Sequence, residues 1–475
     1  MNDSIITRNI LSRLGAKVIC YALGFIASIL LVRYLGVERL GKYNYASTFA
    51  ALTGFLGGLG LPILLTREVA RDKASAGALL GATMVLQYGL SSLTLVSIVV
   101  SGAIFNSMEL ALPIAIIGLG VAMNALGAPY LAMLNAFEAM HVSSAIEVAC
   151  IVLHVGLIFT AMYLRLDVTG LVAILLINPV VSFALTKHAS DRYCAPPRYT
   201  YDPTRLKGLL ISTVPFALMV ILNNVYFRID IIMLEKMRGL AAVGIYTAAY
   251  KFLDILMIIG ANITGVLYPR MASEAAGAPR TLQRIIEKSY RYMVALGIPT
   301  AVVVTILAQR IIRILFGEQF SASASALRIL IWAIPPMFMY MPLAHALNAT
   351  GGEWPRILVL SVNTLANIGM NLLLIPVFSF VGAAFSTVIC EVISLILLAR
   401  LVRRTCQVGY LPAAIPVLAS TLVMGLAVWY LRDTHLLIAL PFGAFVYCAT
   451  LYLAGFLTPE EKLALRQLFA LGSAR

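Results

Sequence analysis

The sequence predicts an all-α polytopic membrane fold of about fourteen transmembrane helices, arranged as two pseudo-symmetric six-helix lobes plus two C-terminal helices. Three observations predict it. The 475-residue chain is 61% hydrophobic and only 12% charged, with a mean hydropathy of +0.93; soluble domains run to about 45–50% apolar and about 25% charged. Apolar stretches of about 20 residues, the length a helix needs to cross a bilayer, recur from one end to the other. The chain also resembles itself at an offset of 203 residues.

The first six spans are expected at Leu14–Val32, Asn44–Leu65, Ala76–Gly102, Ala111–Asn135, Val142–Tyr163 and Val168–Leu185. The next six fall at Leu209–Leu234, Leu240–Leu267, Tyr292–Leu307, Leu327–Asn348, Arg356–Phe378 and Val381–Leu401, and the last two at Leu411–Leu431 and Leu436–Phe456. The longest polar connection, Lys187 to Lys207 through Pro196 and Pro197, divides the first twelve six and six. The domains read from this are a lobe over 1–187, a cytoplasmic linker over 188–208, a lobe over 209–403, two further helices over 404–457 and a tail over 458–475. The tail opens Thr458-Pro459-Glu460-Glu461, a capping-box pattern with proline at the first helical position, which predicts a short helix on the cytoplasmic surface.

A net charge of +14 on a soluble protein would suggest nucleic acid. Here about 22 of the 35 basic residues fall on one side when the N-terminus is placed inside, and about 10 on the other. That bias is what cytoplasmic loops carry, so it accounts for the charge and predicts both termini inside. The six cysteines have no paired spacing, which argues against a disulfide framework or a zinc site. No cleavable signal segment is expected, since the first apolar stretch lacks a small-residue cleavage site.

In the repeat, Gly36, Gly41, Tyr43, Ala46, Phe49, Gly57, Leu64 and Arg67 fall on Gly239, Gly244, Tyr246, Ala249, Phe252, Gly260, Leu267 and Arg270. Six spans per copy is an even number, so both copies start on the same side and form parallel halves with a substrate path between them. Arg67 and Arg270, at equivalent cytoplasmic ends, are candidates for a gate.

Charges at membrane depth are expensive, about 2.5–3.5 kcal/mol each on insertion scales, and therefore mark wet cavities or ion pairs. Arg228 and Asp230 on the seventh span, and Lys251 and Asp254 on the eighth, are such groups. They read either as an ion-pair cluster locking two helices or as a cavity wall facing an anion or a coupling ion. Lys17, one turn into the first span, either snorkels to the interface or meets a phosphate. Glu147 and His154, seven apart on the fifth span, share a helical face and form either a proton-sensing pair or a structural contact. Asn363, Asn367 and Asn371 make a polar stripe on the eleventh span, either interhelical glue or amides for sugar hydroxyls. Glu391, in the twelfth, has no evident partner. Nucleotide-binding, zinc-hydrolase and nucleophile-elbow motifs are absent, so no cofactor is expected and transport would draw on an ion gradient or on substrate supply.

These residues carry a family resemblance. LVRYLGVERLGKYNYA and LGLPILLTREVARD resemble the opening of the polysaccharide-transporter (Wzx-type) flippases, within the multidrug/oligosaccharidyl-lipid/polysaccharide exporter superfamily. RIDIIML…VGIYTAAYKFLDIL is similar to that family's seventh and eighth helices, and NIGMNLLLIPVFSFVGAAFSTVICE to its eleventh and twelfth. The family often has a glycine before the Gly-Ala-Ala turn, where this chain has Phe380-Val381. The resemblance implies alternating access for a polyprenyl-pyrophosphate-linked oligosaccharide, taken up on the cytoplasmic side of the cell inner membrane. It implies a phosphate-attracting role for Lys17, Arg228 and Lys251, sugar contacts for the asparagine stripe, and the lipid-linked oligosaccharide, membrane lipids, a polysaccharide polymerase and export machinery as partners. Three readings compete. A multidrug exporter of the same superfamily commonly has an acidic residue in the first helix, which Leu14–Val32 lacks. A lipid II flippase is separated poorly by sequence. A glycan polymerase or ligase would need a sizeable external loop that this chain does not have.

Overall fold

The computed structural model describes residues 3–199, 203–275, 279–350, 353–403, 414–459 and 461. Among them the regular structure is entirely helical, as lipid demands of any open chain whose backbone groups must pair internally. In chain order the helices are α1 (Asp3–Thr53), α2 (Leu61–Arg71), α3 (Ala76–Phe105), α4 (Met108–Ala136), α5 (Met140–Tyr163), α6 (Val168–Leu175), α7 (Ile177–Tyr193), α8 (Pro203–Arg238) and α9 (Leu240–Gly265). They continue with α10 (Tyr268–Ala275), α11 (Pro279–Phe316), α12 (Ser323–Leu330), α13 (Ile334–Ala349), α14 (Glu353–Phe378), α15 (Phe380–Val402), α16 (Ala414–Tyr430) and α17 (Leu436–Leu453).

Twelve helical segments among the described residues are long and apolar enough to cross a membrane, and Ala414–Tyr430 is a shorter apolar one. One of the twelve is really two limbs: α1 breaks at Gly36, whose φ of +71° only glycine adopts without strain. Counting both limbs recovers fourteen. The polar connection expected between the first two spans is thus a bend inside a helix rather than a loop. The second expected span is itself interrupted further on, by a 3-10 turn at Phe55–Gly58 and by Gly60 at φ +81°. The tenth expected span is likewise divided, into α12, a 3-10 turn at Ile331–Ala333, and α13, which opens on Pro335 and Pro336. Proline fits the first turn of a helix, where no N–H is needed.

The chain forms two compact units, Met1–Thr247 and Ala248–Arg475, with the boundary inside α9. In the first, α4 packs between α3 and α7, α1 lies against α4 and α5, and α8 lies along α1. The repeat takes physical form here. Gly239, the counterpart of Gly36, has φ +83° and separates α8 from α9. A Cβ on Gly41 would stand 1.8 Å from the Leu240 carbonyl oxygen; one on Gly244 would stand 1.9 Å from that of Val37. Val37 and Leu240, Gly41 and Gly244, and Asn44 and Thr247 are all 203 residues apart, and the Asn44 amide donates to the Thr247 hydroxyl at 3.0 Å. Equivalent residues therefore meet reciprocally, as in an isologous interface.

Part of the expected linker is also ordered. α7 runs on to Tyr193, and the Arg198 amide donates to the Gly77 carbonyl at 2.8 Å. A Cβ on Gly81 would stand 2.0 Å from the Arg198 carbonyl oxygen, so this stretch lies directly on α3.

In the second unit α13 packs between α11 and α15, α14 and α15 form a hairpin, and α16 and α17 lean on α11. The capping box at Thr458 forms: Glu461 accepts from the Thr458 amide at 3.0 Å and its own amide donates to the Thr458 hydroxyl at 3.3 Å. Glu461 also takes Arg291 at 2.5 Å, the Tyr292 hydroxyl at 2.6 Å and Lys288 at 3.4 Å, while Arg291 lies 4.9 Å over the Phe456 ring. Burial opposes the charge, but the Tyr292 hydroxyl, the Thr458 amide and the Arg291 guanidinium together hold the Glu461 carboxyl down at about 2. The expected tail helix beyond residue 461 lies outside the described residues.

Candidate functional site

Inside the first unit two helices turn polar faces toward each other. On α5, Ser143, Glu147, Cys150 and His154 are spaced four, three and four apart and so share one side. On α7, Asn178, Ser182 and Thr186 do the same at four-residue spacing. With Cys20 of α1 they line an open cavity of about 440 Å³. A second cavity, of about 210 Å³, begins where the first ends: it shares His154 and Asn178 and continues past Asn124 of α4 to Tyr43 and Ser47 of α1. Tyr43 and Ser47 stand one helical turn apart on its wall, and Asn178 keeps a buried Oδ1 without a donor. The result is a polar track with a carboxylate in its wider part and an imidazole at its junction.

The sequence-predicted residues divide around this track. Glu147 and His154 are brought to one cavity, and Glu147 is exposed within it. Lys17 sits half-buried one turn before Cys20. Asp230, only 3% exposed, takes the Tyr246 hydroxyl and, at 2.8 Å, the Ile231 amide; Arg228 lies within electrostatic reach. Arg67 is exposed and paired with Glu68 at 3.0 Å.

In the second unit the asparagines of α14 and Glu391 of α15 are sealed. Asn363, Asn367 and Asn371 are 1%, 2% and 0% exposed. Asn363 donates to the Ser394 hydroxyl of α15, and Asn371 donates to Asn367 Oδ1 at 2.9 Å. The Oδ1 atoms of Asn363 and Asn371 find no donor. Glu391, fully buried on α15, receives the Tyr340 hydroxyl of α13. Lys251 and Asp254 are half-buried on α9, and Arg270 is exposed on α10.

Sequence reasoning missed Asn178, Ser182 and Thr186, although their four-residue spacing is the same signal that drew attention to the asparagines of α14. It also missed Tyr246 and Tyr340 as partners of the buried acids. Tyr246 stood out in the sequence only as the repeat counterpart of Tyr43, and Tyr340 not at all.

A model of the polysaccharide biosynthesis protein family matches residues 6–274, and one of the MatE family matches residues 215–373. The chain is 22% identical over 225 residues to the capsular polysaccharide biosynthesis protein CapF of Staphylococcus aureus, covering 47% of this chain and 57% of that one. It is 24% identical over 158 residues to the probable low-salt glycan biosynthesis flippase Agl15 of Haloferax volcanii, covering 33% of each. The matches thus span from a third to just over half of these relatives' length. Among solved structures, the lipid II flippase MurJ in its inward closed conformation superposes with a TM-score of 0.78 at 14% identity, covering 93% of this chain and 98% of that one. An inward-facing multidrug resistance MATE transporter of the MOP superfamily superposes with 0.64 at 15% identity, covering 84% and 94%. At such identities the likeness shows the shared fold.

Proposed function

The chain belongs to the polysaccharide biosynthesis protein family, and from that premise we propose that it flips a polyprenyl-pyrophosphate-linked oligosaccharide, an O-antigen or exopolysaccharide repeat unit, from the cytoplasmic to the outer leaflet. It is a multi-span transporter of the MOP superfamily rather than an enzyme. What carries the finer reading is the family match over more than half of the chain. Two features support it against drug export: the first span has Lys17 and no acid, and the lipid II flippase covers more of the chain than the MATE transporter does.

In this reading the polar head travels through protein while the lipid tail stays in the bilayer. Lys17, Arg228 and Lys251 attract the pyrophosphate, arginine most strongly because its planar fork can hold two oxygens. Glu147 and His154 carry the coupling ion along the track of the first unit, and Asp230 and Asp254 balance the cations. The asparagines of α14 meet sugar hydroxyls in a conformation in which α14 and α15 part, and Arg67 and Arg270 gate the cytoplasmic side. The chain sits in the cell inner membrane with both termini facing the cytoplasm, and a polymerase and export machinery take over the product.

The test is reconstitution in liposomes with a labelled polyprenyl-pyrophosphate oligosaccharide, comparing wild type with Arg228→Ala and Lys251→Ala. The reading expects protein-dependent flipping that both substitutions abolish while insertion and stability persist. Efflux of small cationic dyes with no flipping of any lipid-linked sugar would replace it with the multidrug reading, and flipping confined to lipid II would replace it with that substrate.

A further inference from the structure

Three groups of α7, Asn178, Ser182 and Thr186, line the wide part of the polar track in the first unit, together with Ser143 and Glu147 of α5. Two of the hydroxyls already donate to their own helices: Ser143 to the Met140 carbonyl at 3.0 Å and Thr186 to the Ser182 carbonyl at 2.6 Å. Their oxygens keep lone pairs for a donor from outside, as does the Glu147 carboxylate. Asn178 has a buried Oδ1 that takes no donor, a cost that an incoming hydroxyl relieves. The wall is therefore rich in acceptors. Leu131, Ile146 and Ile151 supply apolar surface between them.

That mixture selects the occupant. From Ser143 to His154 the polar groups of α5 span eleven positions, about 16 Å of helix. A hard cation such as calcium gathers its oxygens at about 2.3–2.6 Å, so groups spread this far apart do not make its shell. Among the described residues no three of His, Cys, Asp and Glu come together to hold a metal ion. The cavity of about 440 Å³ falls instead in the range of about 300–1,000 Å³ that takes small organic ligands. A sugar ring carries hydroxyl donors at its edge and C–H groups on its faces, which suits acceptors interleaved with apolar side chains. Beyond His154 and Asn178 the passage narrows to about 210 Å³, so Asn178 stands where the space tightens.

We propose that the saccharide of the cargo is held in this α5–α7 track, with Asn178, Ser182 and Thr186 hydrogen-bonding its hydroxyls. The inference rests on the reading that the cargo is a lipid-linked saccharide. It needs no helix to part, because the track is already open, whereas the asparagines of α14 are sealed.

The experiment titrates the full-length protein in dodecyl maltoside micelles by calorimetry. The probes are farnesyl pyrophosphate and the same lipid carrying chitobiose or lactose. At least one glycosylated probe is expected to bind wild type about tenfold more tightly than the bare lipid, the worth of one or two net hydrogen bonds. Asn178→Ala and Ser182→Ala should each cut that margin by about threefold to fivefold and leave the bare lipid within about twofold of wild type. Where Asn178→Ala does not fold, Ser182→Ala and Thr186→Val decide. A margin that the folded α7 variants leave intact overturns this site and leaves the saccharide reading standing. Equal affinity of wild type for all the probes also overturns it, the track then serving the coupling ion alone. Flipping in liposomes tests the transport reading separately, so the two failures are distinguishable.

Discussion

In the first unit, α5 and α7 look at each other across about 440 Å³ of open space, with Glu147 and His154 on the wall. In the second, Asn363, Asn367 and Asn371 are sealed: the Asn363 amide goes to Ser394 of α15 and the Asn371 amide to Asn367, while the Oδ1 atoms of Asn363 and Asn371 stay without a donor. Both patterns start from one motif, polar side chains every three or four residues in an apolar helix. The difference is whether the facing helix supplies partners. Where it does, the polar groups add to stability and fix the register of the hairpin; where it does not, they are left for something that passes through. A polar stripe in a membrane helix therefore announces a polar neighbour without saying whether that neighbour is protein or cargo.

The comparison breaks most readily at Asn367. Asn367→Leu removes the acceptor of a fully buried amide, and should cost about 1–3 kcal/mol in detergent unfolding, the range for an orphaned buried polar group. Ser182→Ala, on the cavity wall, should stay within about 0.5 kcal/mol. Equal losses at the two sites would erase the distinction between sealed and open stripes.

Next in size is the tail latch, a sealed polar contact of another kind. Glu461→Gln should cost about 2 kcal/mol, the worth of hydrogen bonds to a charged group. It also carries a pH signature. Glu461 is held at about 2 in the folded chain against 4.5 for an ordinary glutamate, so the unfolded chain binds its proton first. The latch contributes fully above pH 4.5, weakens as pH falls, and is lost once pH passes about 2. The gap between the melting curves of wild type and Glu461→Gln should close over that window; a gap independent of pH would mean that the carboxylate charge is not what holds the tail.

For the open stripe the expectation is reversed. Glu147→Gln and His154→Gln should leave unfolding within about 0.5 kcal/mol of wild type and slow flipping by about tenfold, equivalent to about 1.4 kcal/mol of barrier. Unfolding measured alongside flux in the same preparation checks both halves. A destabilised Glu147→Gln with normal flux would make this stripe a structural one like its counterpart.

Much of the architecture was legible in the sequence because hydropathy acts locally: an apolar run of sufficient length spans wherever its neighbours lie. The glycine repeat was legible too, and Gly36 and Gly239 keep matching positive φ values 203 residues apart. The bends were not, since whether 33–43 forms a loop or a helical limb depends on Gly41 meeting Leu240 across the fold. The polar stripes were found, and their meaning was not, for the same reason: partners such as Tyr246 and Tyr340 come from other helices. The Thr458–Glu461 box was readable because both its members are neighbours in sequence, while Arg291, which makes it strong, lies 170 residues away.

The smallest effect tests the hairpin that carries the sealed stripe. Between α14 and α15 the chain turns at Ser379, with φ +54° and ψ −135°, a conformation that belongs almost wholly to glycine. It is followed by Gly382, whose Cβ would stand 2.3 Å from the Leu374 carbonyl oxygen. The turn is therefore tight on both sides, and the register of Asn363 to Asn371 against α15 is set by it. Ser379→Gly exchanges about 1–3 kcal/mol of backbone strain for about 0.4–1 kcal/mol of extra unfolded-chain entropy. The variant should be more stable by about 1 kcal/mol, with the asparagine contacts unchanged. A loss of stability instead would mean that the Ser379 side chain, rather than the shape of the turn, holds the two helices in register.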